Sequence, residues 1–317
     1  MKRARGERGI ALLLVIWVLV ILAALAAEMA MSARGDIGAV RNFKEGREAY
    51  YLARAGVQMA FAELLEDFDY VHIKDGQDIL GRAGDDLKEP EFSPRQVKFG
   101  GGLAAYVITD ENAKLNLNAL ARDEGGLRRL FKTLFPDGIE GEDTVIDSIL
   151  DWADADDFHR PNGAESDYYQ SLKPPYKAKN GDFDSVAELR RVKGVSPQIF
   201  AALEKVLTVY SAGALNPNTA TPEVLLASGM AQDKVSAIMD ARDHGAVPDP
   251  NGKSDTFAIV ATGRFEGSAL IRSVRVVVRK TAPRRLTLLD WTDDYYEPPA
   301  SRKPPSVPPA NARFQRR

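Results

Sequence analysis

The chain has 317 residues, 44% of them hydrophobic and 27% charged, with a formal net charge of −3, a balance that suits a globular protein with one membrane segment. It has no cysteine, so thiol nucleophiles, iron–sulfur clusters and disulfides are excluded. Its three histidines, His72, His159 and His244, lie far apart without zinc-ligand spacing and speak against a zinc or Ser-His-Asp enzyme.

The first nine residues hold Lys2, Arg3, Arg5 and Arg8 against Glu7, so the body that follows is acidic and a poor electrostatic match for nucleic-acid phosphates. Residues 10–27 carry no charge. Roughly 20 apolar residues at about 1.5 Å rise cross a hydrocarbon core of about 30 Å, and the run extends through Met31 if Glu28 sits near a boundary. The basic leader favours a cytoplasmic N-terminus with the body on the far side. A plain signal anchor and a cleaved secretory peptide are the alternatives. Against the second stand the length of the run and the lack of a small-x-small site followed by a polar break. Helix formers continue from residue 32 to about 68, where Ala49, Leu52, Ala53, Gly56, Val57, Ala60, Phe61, Leu64 and Leu65 recur at spacings of three and four. One long helix is therefore predicted to leave the membrane and pack by a single stripe.

The stretch "RGIALLLVIWVLVILA" resembles the N-terminus of a type IV prepilin or type II secretion pseudopilin. The resemblance implies cleavage by a prepilin peptidase between Gly9 and Ile10 and methylation of the new amine. Leu14 stands at the fifth mature position, where most such proteins carry glutamate. The general secretion pathway protein K family, the large minor pseudopilin, usually does without that acid.

Residues 69–95 are polar and broken by Gly76, Gly81, Gly84, Pro90 and Pro94, which predicts a loop. "QVKFGGGLAAYVITD" (96–110) predicts a strand with a glycine-rich hairpin turn. Strand signals then vanish until "DTFAIVATGRFEGSALIRSVRVVVRK" (255–280), where Phe257, Ile259 and Ala261 alternate, and Val274, Val276 and Val278 do so again. An antiparallel sheet split by about 140 residues predicts an α+β scaffold with an inserted α domain. The resemblance implies the same layout: a long N-terminal transmembrane helix on a small antiparallel sheet, the pseudopilin fold, with a large all-α insert like a sterile alpha motif. The expected divisions are a leader (1–9), a transmembrane and assembly helix (10–31), the first part of the scaffold (32–110), the helical insert (111–250), the remaining scaffold strands (251–281) and a Pro-rich basic tail expected to be disordered (282–317).

Within the insert, "DENAKLNLNAL" and "GALNPNTATPEVLLASGM" share a Leu-Asn-x-Asn element, and Thr221-Pro222-Glu223 is a helix start. "FDSVAELRRVKGVSPQIFAALEKVL" predicts helix, hairpin and helix, with Ser185 as cap and Gly194 in the turn, and "EVLLASGMAQDKVSAIMDAR" repeats the scheme. Helix-hairpin-helix units bind DNA phosphates through backbone N–H groups. Here each hairpin keeps a single glycine, and Arg190, Arg191, Lys193 and Lys234 are offset by Glu188, Glu204 and Asp233. A packing module is the expectation, and a membrane-anchored DNA-binding protein is the rival from another class.

"DSILDWADADDFHRPNGAESDYY" (147–169) places Asp147, Asp151 and Asp154 at i, i+4 and i+7 of a predicted helix. Like charges at that spacing repel unless solvated or bridged by a cation. Asp156, Asp157, Glu165 and Asp167 crowd around Pro161-Asn162-Gly163. So many hard oxygens suit calcium, which takes six to eight; a solvated acidic loop is the alternative. Phe158 and His159 rule out an EF-hand register. Trp152, Tyr168, Tyr169 and Tyr176 read as packing. This stretch and the "PPYKAKNGDFDSVAELRRVKGV" after it resemble the signature region of the K pseudopilins, whose helical domain binds calcium. The resemblance implies oxygen donors at Asp151, Asp154, Asp156, Glu165 and Asp167, with Asp157 and Asn162 as further candidates.

The expected function is assembly, not catalysis. The resemblance implies a minor pseudopilin of the type II secretion system, inserted once in the inner membrane with a cytoplasmic N-terminus and periplasmic body. It would cap the periplasmic pseudopilus with the I and J minor pseudopilins. The major pseudopilin, the prepilin peptidase and the inner-membrane assembly platform are the other expected partners, and nucleic acid is not one.

Overall fold

No proline interrupts residues 7–65, and in the computed structural model of the chain they form one continuous helix, α1 (Glu7–Leu65), 59 residues and about 90 Å long. The structure describes residues 7–66, 68, 70–74, 77–81, 96–211, 214–250, 252 and 254–295. The first half of α1 is bare among the described residues: every large apolar side chain from Leu12 to Leu22 is roughly half or more exposed. With a mean hydropathy of 2.7 over 18 residues, this half is long and apolar enough to cross a membrane. The backbone of Gly9 and Ile10 belongs to α1, and the Ile10 side chain lies outside the described residues. The second half buries Ala49, Ala53, Val57, Ala60 and Leu64, a stripe at spacings of three and four.

The region predicted as a loop after α1 contains a hairpin, β1 (Tyr70–Lys74) against β2 (Gln77–Gly81). Val71 and Leu80 are buried with the sheet core; the sequence signal for the hairpin is the Asp-Gly dipeptide between the two strands, which the polar surroundings outweigh. A second hairpin follows, β3 (Gln96–Phe99) and β4 (Gly102–Asp110).

The insert between β4 and the next sheet strand runs through a 3-10 turn (Glu111–Ala113), β5 (Leu115–Asn116), α2 (Leu117–Leu120), α3 (Glu124–Leu134), α4 (Glu142–Ala153), α5 (Ser166–Gln170), a 3-10 helix (Val186–Arg191), α6 (Pro197–Val206), β6 (Leu207–Thr208), α7 (Pro222–Ala227) and α8 (Gln232–Asp243). It is not wholly helical, since β5 and β6 pair in parallel over two residues. The first element of the predicted helical hairpin is a 3-10 helix with a capping box at Ser185 and Glu188. Its buried Leu189 and the buried Val192 that caps its C-terminus are three apart, and a three-residue period aligns them. Asn116, Ser196 and Thr221 cap α2, α6 and α7 with their side chains. Leu127, Leu130, Phe131, Ile146, Ile149, Tyr169, Phe183 and Leu203 belong to a core of the insert's own.

The chain then returns to the sheet as β7 (Thr256–Phe265), β8 (Ile271–Ala282) and β9 (Arg285–Asp293), giving five antiparallel strands in the order β3-β4-β7-β8-β9. α1 lies across one face, so close that a Cβ at Gly263 of β7 would fall 2.0 Å from the Ala49 carbonyl oxygen. The fifth strand corrects the expectation of a disordered tail from residue 282. Leu286 and Trp291 pack against the sheet core, and the Arg54 guanidinium lies over the Trp291 ring at 5.8 Å. Residues 296–317 of that tail lie outside the described residues.

Asp110, fully buried at the end of β4, joins scaffold and insert. Its Oδ2 accepts from Asn216 Nδ2 at 2.9 Å, from Thr219 Oγ1 at 2.6 Å and from Ser254 Oγ, while its Oδ1 accepts from the Asn112 N–H at 2.8 Å. Asn216 also donates to the Val71 carbonyl of β1 at 3.2 Å.

Candidate metal centre

The acidic stretch spans the end of α4, the loop after it and the start of α5. α4 ends at Ala153, so Asp154 caps its C-terminus in extended conformation, and Asp147 and Asp151 remain on the helix. The loop from Asp154 doubles back over α4. Asp147 Oδ2 accepts from the Asn162 backbone N–H at 3.0 Å and from its side-chain amide at 3.1 Å. Asp151 accepts from the Arg160 N–H, 3.2 Å to Oδ2. The returning chain comes so near that a Cβ at Gly163 would lie 1.9 Å from Asp151 Oδ2, an approach only glycine permits.

This fold-back brings Glu165 against the end of α4. Asp151, Asp154 and Glu165 each present an oxygen within 4.8 Å of the other two. Asp151 is fully buried and Glu165 is 1% exposed. Both Glu165 oxygens and Asp154 Oδ1 are buried with no hydrogen-bond partner. An orphaned buried carboxylate costs free energy that a cation would recover. Burial, and then the charges of Asp151, Asp154, Asp157 and Asp156, push the Glu165 carboxyl up to about 7. Burial likewise raises Asp151, with Asp154 and Asp147 adding to the shift against the Arg160 N–H and guanidinium. Asp154 is raised by burial and by Asp156. Three convergent carboxylates with unused oxygens form a hard-oxygen donor set that fits calcium. The Arg160 guanidinium, 3.5 Å from Asp151 Oδ1, is the one cation paired with the cluster among the described residues.

The five expected donors therefore separate. Asp156 is exposed, with Oδ1 accepting from the Phe158 N–H at 2.9 Å, yet near enough for its charge to act on Asp154 and Glu165. Asp167 points away: its Oδ1 pairs with His159 Nε2 at 2.9 Å and its side chain is 75% exposed. Asn162 serves the loop through Asp147. Asp157 accepts from Asn180 Nδ2 at 3.1 Å. Asn180 is a residue that the sequence reading does not single out. It takes a left-handed φ of 48°, donates to the Asp156 carbonyl at 3.0 Å and leaves its own Oδ1 buried without a donor. Its sequence signal is the Asn-Gly pair at 180–181, a turn dipeptide tolerant of that conformation.

The glycine of the first predicted hairpin is turned into the insert's own packing. Gly194, at φ 83°, packs on α4, where an added Cβ would meet Val145 Cγ2 at 2.9 Å.

A long helix, bare and apolar in its first half and laid on an antiparallel sheet in its second, with an insert between sheet strands, places the chain in the pseudopilin class. A family model for the type II secretion system (T2SS) protein K matches residues 113–212. The chain is 30% identical to type II secretion system protein K of Pseudomonas aeruginosa over 263 residues, 75% of this chain and 73% of that one. It is 29% identical to a putative type II secretion system protein K of Escherichia coli K12 over 223 residues, 67% of this chain and 65% of the relative, just under two thirds of its length. The chain belongs to the type II secretion system protein K family. Its fold is similar to that in the crystal structure of the GspK-GspI-GspJ complex from enterotoxigenic Escherichia coli, with a TM-score of 0.61 and 16% identity over 81% of this chain and 99% of that one.

Proposed function

We propose that the chain is a minor pseudopilin that caps a type II secretion pseudopilus together with the I and J minor pseudopilins, and that calcium stiffens its insert. The observation that carries this reading is the fold, which parallels over most of its length a K protein crystallised with I and J partners. On this reading the basic leader stays cytoplasmic, the apolar half of α1 spans the inner membrane, and the sheet and insert face the periplasm. Prepilin peptidase cleaves between Gly9 and Ile10, the new amine is methylated, and the assembly platform and major pseudopilin receive the mature chain. Leu14 fits a tip position. A glutamate there would neutralise the amine of a subunit ahead, a tip subunit has none ahead, and an unpaired charge within the bilayer is costly. The role is to assemble and support export of folded proteins, with no bond made or broken by the chain.

Asp151, Asp154 and Glu165 would hold the calcium, with Asp156 close by. The ion supplies positive charge and tolerates the irregular oxygen shell that a helix end and a loop can offer. It pins the loop to α4 and so links α4 to α5. The test is co-purification of the full chain in detergent with its cognate I and J proteins, with calcium and with chelator. A ternary complex that is stronger in calcium is expected; the tip assignment fails if no complex forms in either condition.

A further inference from the structure

Asp151, Asp154 and Glu165 hold three acidic groups close together, and two of them are buried. Such a set needs opposite charge beside it. Among the described residues the guanidinium paired with it is that of Arg160. Arg160 lies on the loop that folds back over α4, and it meets Asp151 twice. Its backbone N–H donates to Oδ2 at 3.2 Å, and its side chain returns to the same carboxylate with Nε 3.5 Å from Oδ1.

The two contacts differ in kind. The backbone contact is a hydrogen bond, and it fixes the path of the loop. At the side chain, Nε is buried without a hydrogen-bond acceptor, so charge and not a directed bond holds this part of the guanidinium near Asp151. The outer end leans toward the surface: Nη1 is 3.5 Å from Glu124 Oε2 in the first turn of α3, and the side chain is 39% exposed. The guanidinium thus sits between a buried cluster and a surface acid, with no tight contact to either.

One positive charge does not satisfy the cluster, since both Glu165 oxygens and Asp154 Oδ1 lack donors. Its influence still extends past the nearest carboxylate. Burial raises the Asp151 and Asp154 carboxyls, and the Arg160 charge acts against that rise at both. A charge that favours the ionised cluster in the metal-free form also repels a second cation brought to the same oxygens. Affinity for calcium follows the net charge of the ligand set, so a resident guanidinium lowers it.

Taking the calcium reading above as its basis, we propose that Arg160 is a built-in counter-ion of the carboxylate cluster. Its guanidinium stabilises the insert when no metal is bound and weakens calcium binding by competing for the same negative charge. Holding the loop on α4 is the task of its backbone N–H, not of its side chain.

A clamp and a counter-ion predict opposite signs for one substitution. Arg160→Gln removes the charge and keeps the backbone N–H. The full chain in detergent micelles is stripped with chelator and titrated calorimetrically with calcium chloride. Arg160→Gln should bind about tenfold tighter than the parent. In chelator it should melt below the parent, because buried carboxylates have lost their paired charge. Arg160→Lys keeps the charge, and no bidentate contact is at stake, so it should stay within about threefold of the parent's affinity. Binding by Arg160→Gln that equals the parent's or is weaker overturns the proposal, and so does an unchanged melting temperature in chelator. Equal tightening in Arg160→Lys overturns it as well, because charge would not be the cause. If the parent takes up no calcium, the calcium reading fails and the proposal with it. A parent that binds calcium while Arg160→Gln binds no tighter removes the proposal alone.

Discussion

Gly163 and Asp151 are in such close contact that a single added methyl would sit 1.9 Å from the carboxylate. The acidic loop can therefore close over α4 only with glycine at that position, and the closure is what carries Glu165 to the cluster. Gly163→Ala is expected to push the loop off Asp151, at about 1–3 kcal/mol of stability, as for other overpacked sites. It should also remove the gain in melting temperature on adding calcium. A variant that melts like the parent and keeps its full calcium response would disprove the role of this contact.

Glu165 and Asp167 are both acids of α5 or its cap, and only Glu165 turns inward. Glu165→Gln keeps the shape, loses the charge and relieves repulsion from Asp151 and Asp154. Without calcium it should melt at or above the parent; with calcium at about 100 times the dissociation constant it should lack the gain of about 2.7 kcal/mol expected of the parent. Asp167→Asn should keep that gain. Scanning calorimetry with and without chelator decides it, and an Asp167→Asn chain as unresponsive as Glu165→Gln would rule out the three-carboxylate assignment.

The raised carboxyl of Glu165 gives a pH dependence of definite sign. Its ordinary value of 4.5 becomes about 7 in the fold, so between those limits the native chain binds more protons than the unfolded one. Stability without calcium is then fully present below about 4.5 and is lost as pH rises toward 7, by on the order of 3 kcal/mol. Calcium reverses the trend above neutrality because it needs the ionised form, and its affinity should fall as pH drops below about 7. Denaturant midpoints from pH 5 to 8, with and without chelator, should therefore diverge with rising pH. Parallel curves would mean that Glu165 titrates as an ordinary carboxyl.

Some of this is legible in the residues alone. The two Leu-Asn-x-Asn elements act alike: Asn118 exchanges two hydrogen bonds with the backbone of Phe183, and Asn218 does the same with Asp249. The alternations Phe257-Ile259-Ala261 and Val274-Val276-Val278 are the buried faces of β7 and β8. Composition marks the acidic stretch, but seven carboxylates in one passage look alike until the loop's path is known. That path depends on backbone contacts of Arg160 and Asn162 with α4, which no spacing rule encodes. Asp156 and Asp167 are equal candidates in the sequence for this reason, and Asn180 is invisible there because it arrives from 15 residues beyond Glu165. The two short hairpin strands β1 and β2 are hidden by polar neighbours.

β9 is hidden by its own irregularity, and this makes its register testable. The pairing with β8 shifts between Val277 and Val278, so the run Leu286-Thr287-Leu288-Leu289-Asp290-Trp291 loses its alternation midway. After the bulge Trp291 pairs with Val276 and reaches the sheet core and Arg54 of α1, while Leu288 stays 54% exposed. Trp291→Ala should therefore cost about 1–3 kcal/mol, less than a fully buried tryptophan would. Leu288→Ala should cost less than about 0.5 kcal/mol, as a surface change does. Chemical denaturation of the two variants in the full chain compares them directly. If Leu288→Ala is the more damaging, β9 is paired one residue out of step, its tryptophan faces solvent, and the contact between Arg54 and the last strand is lost.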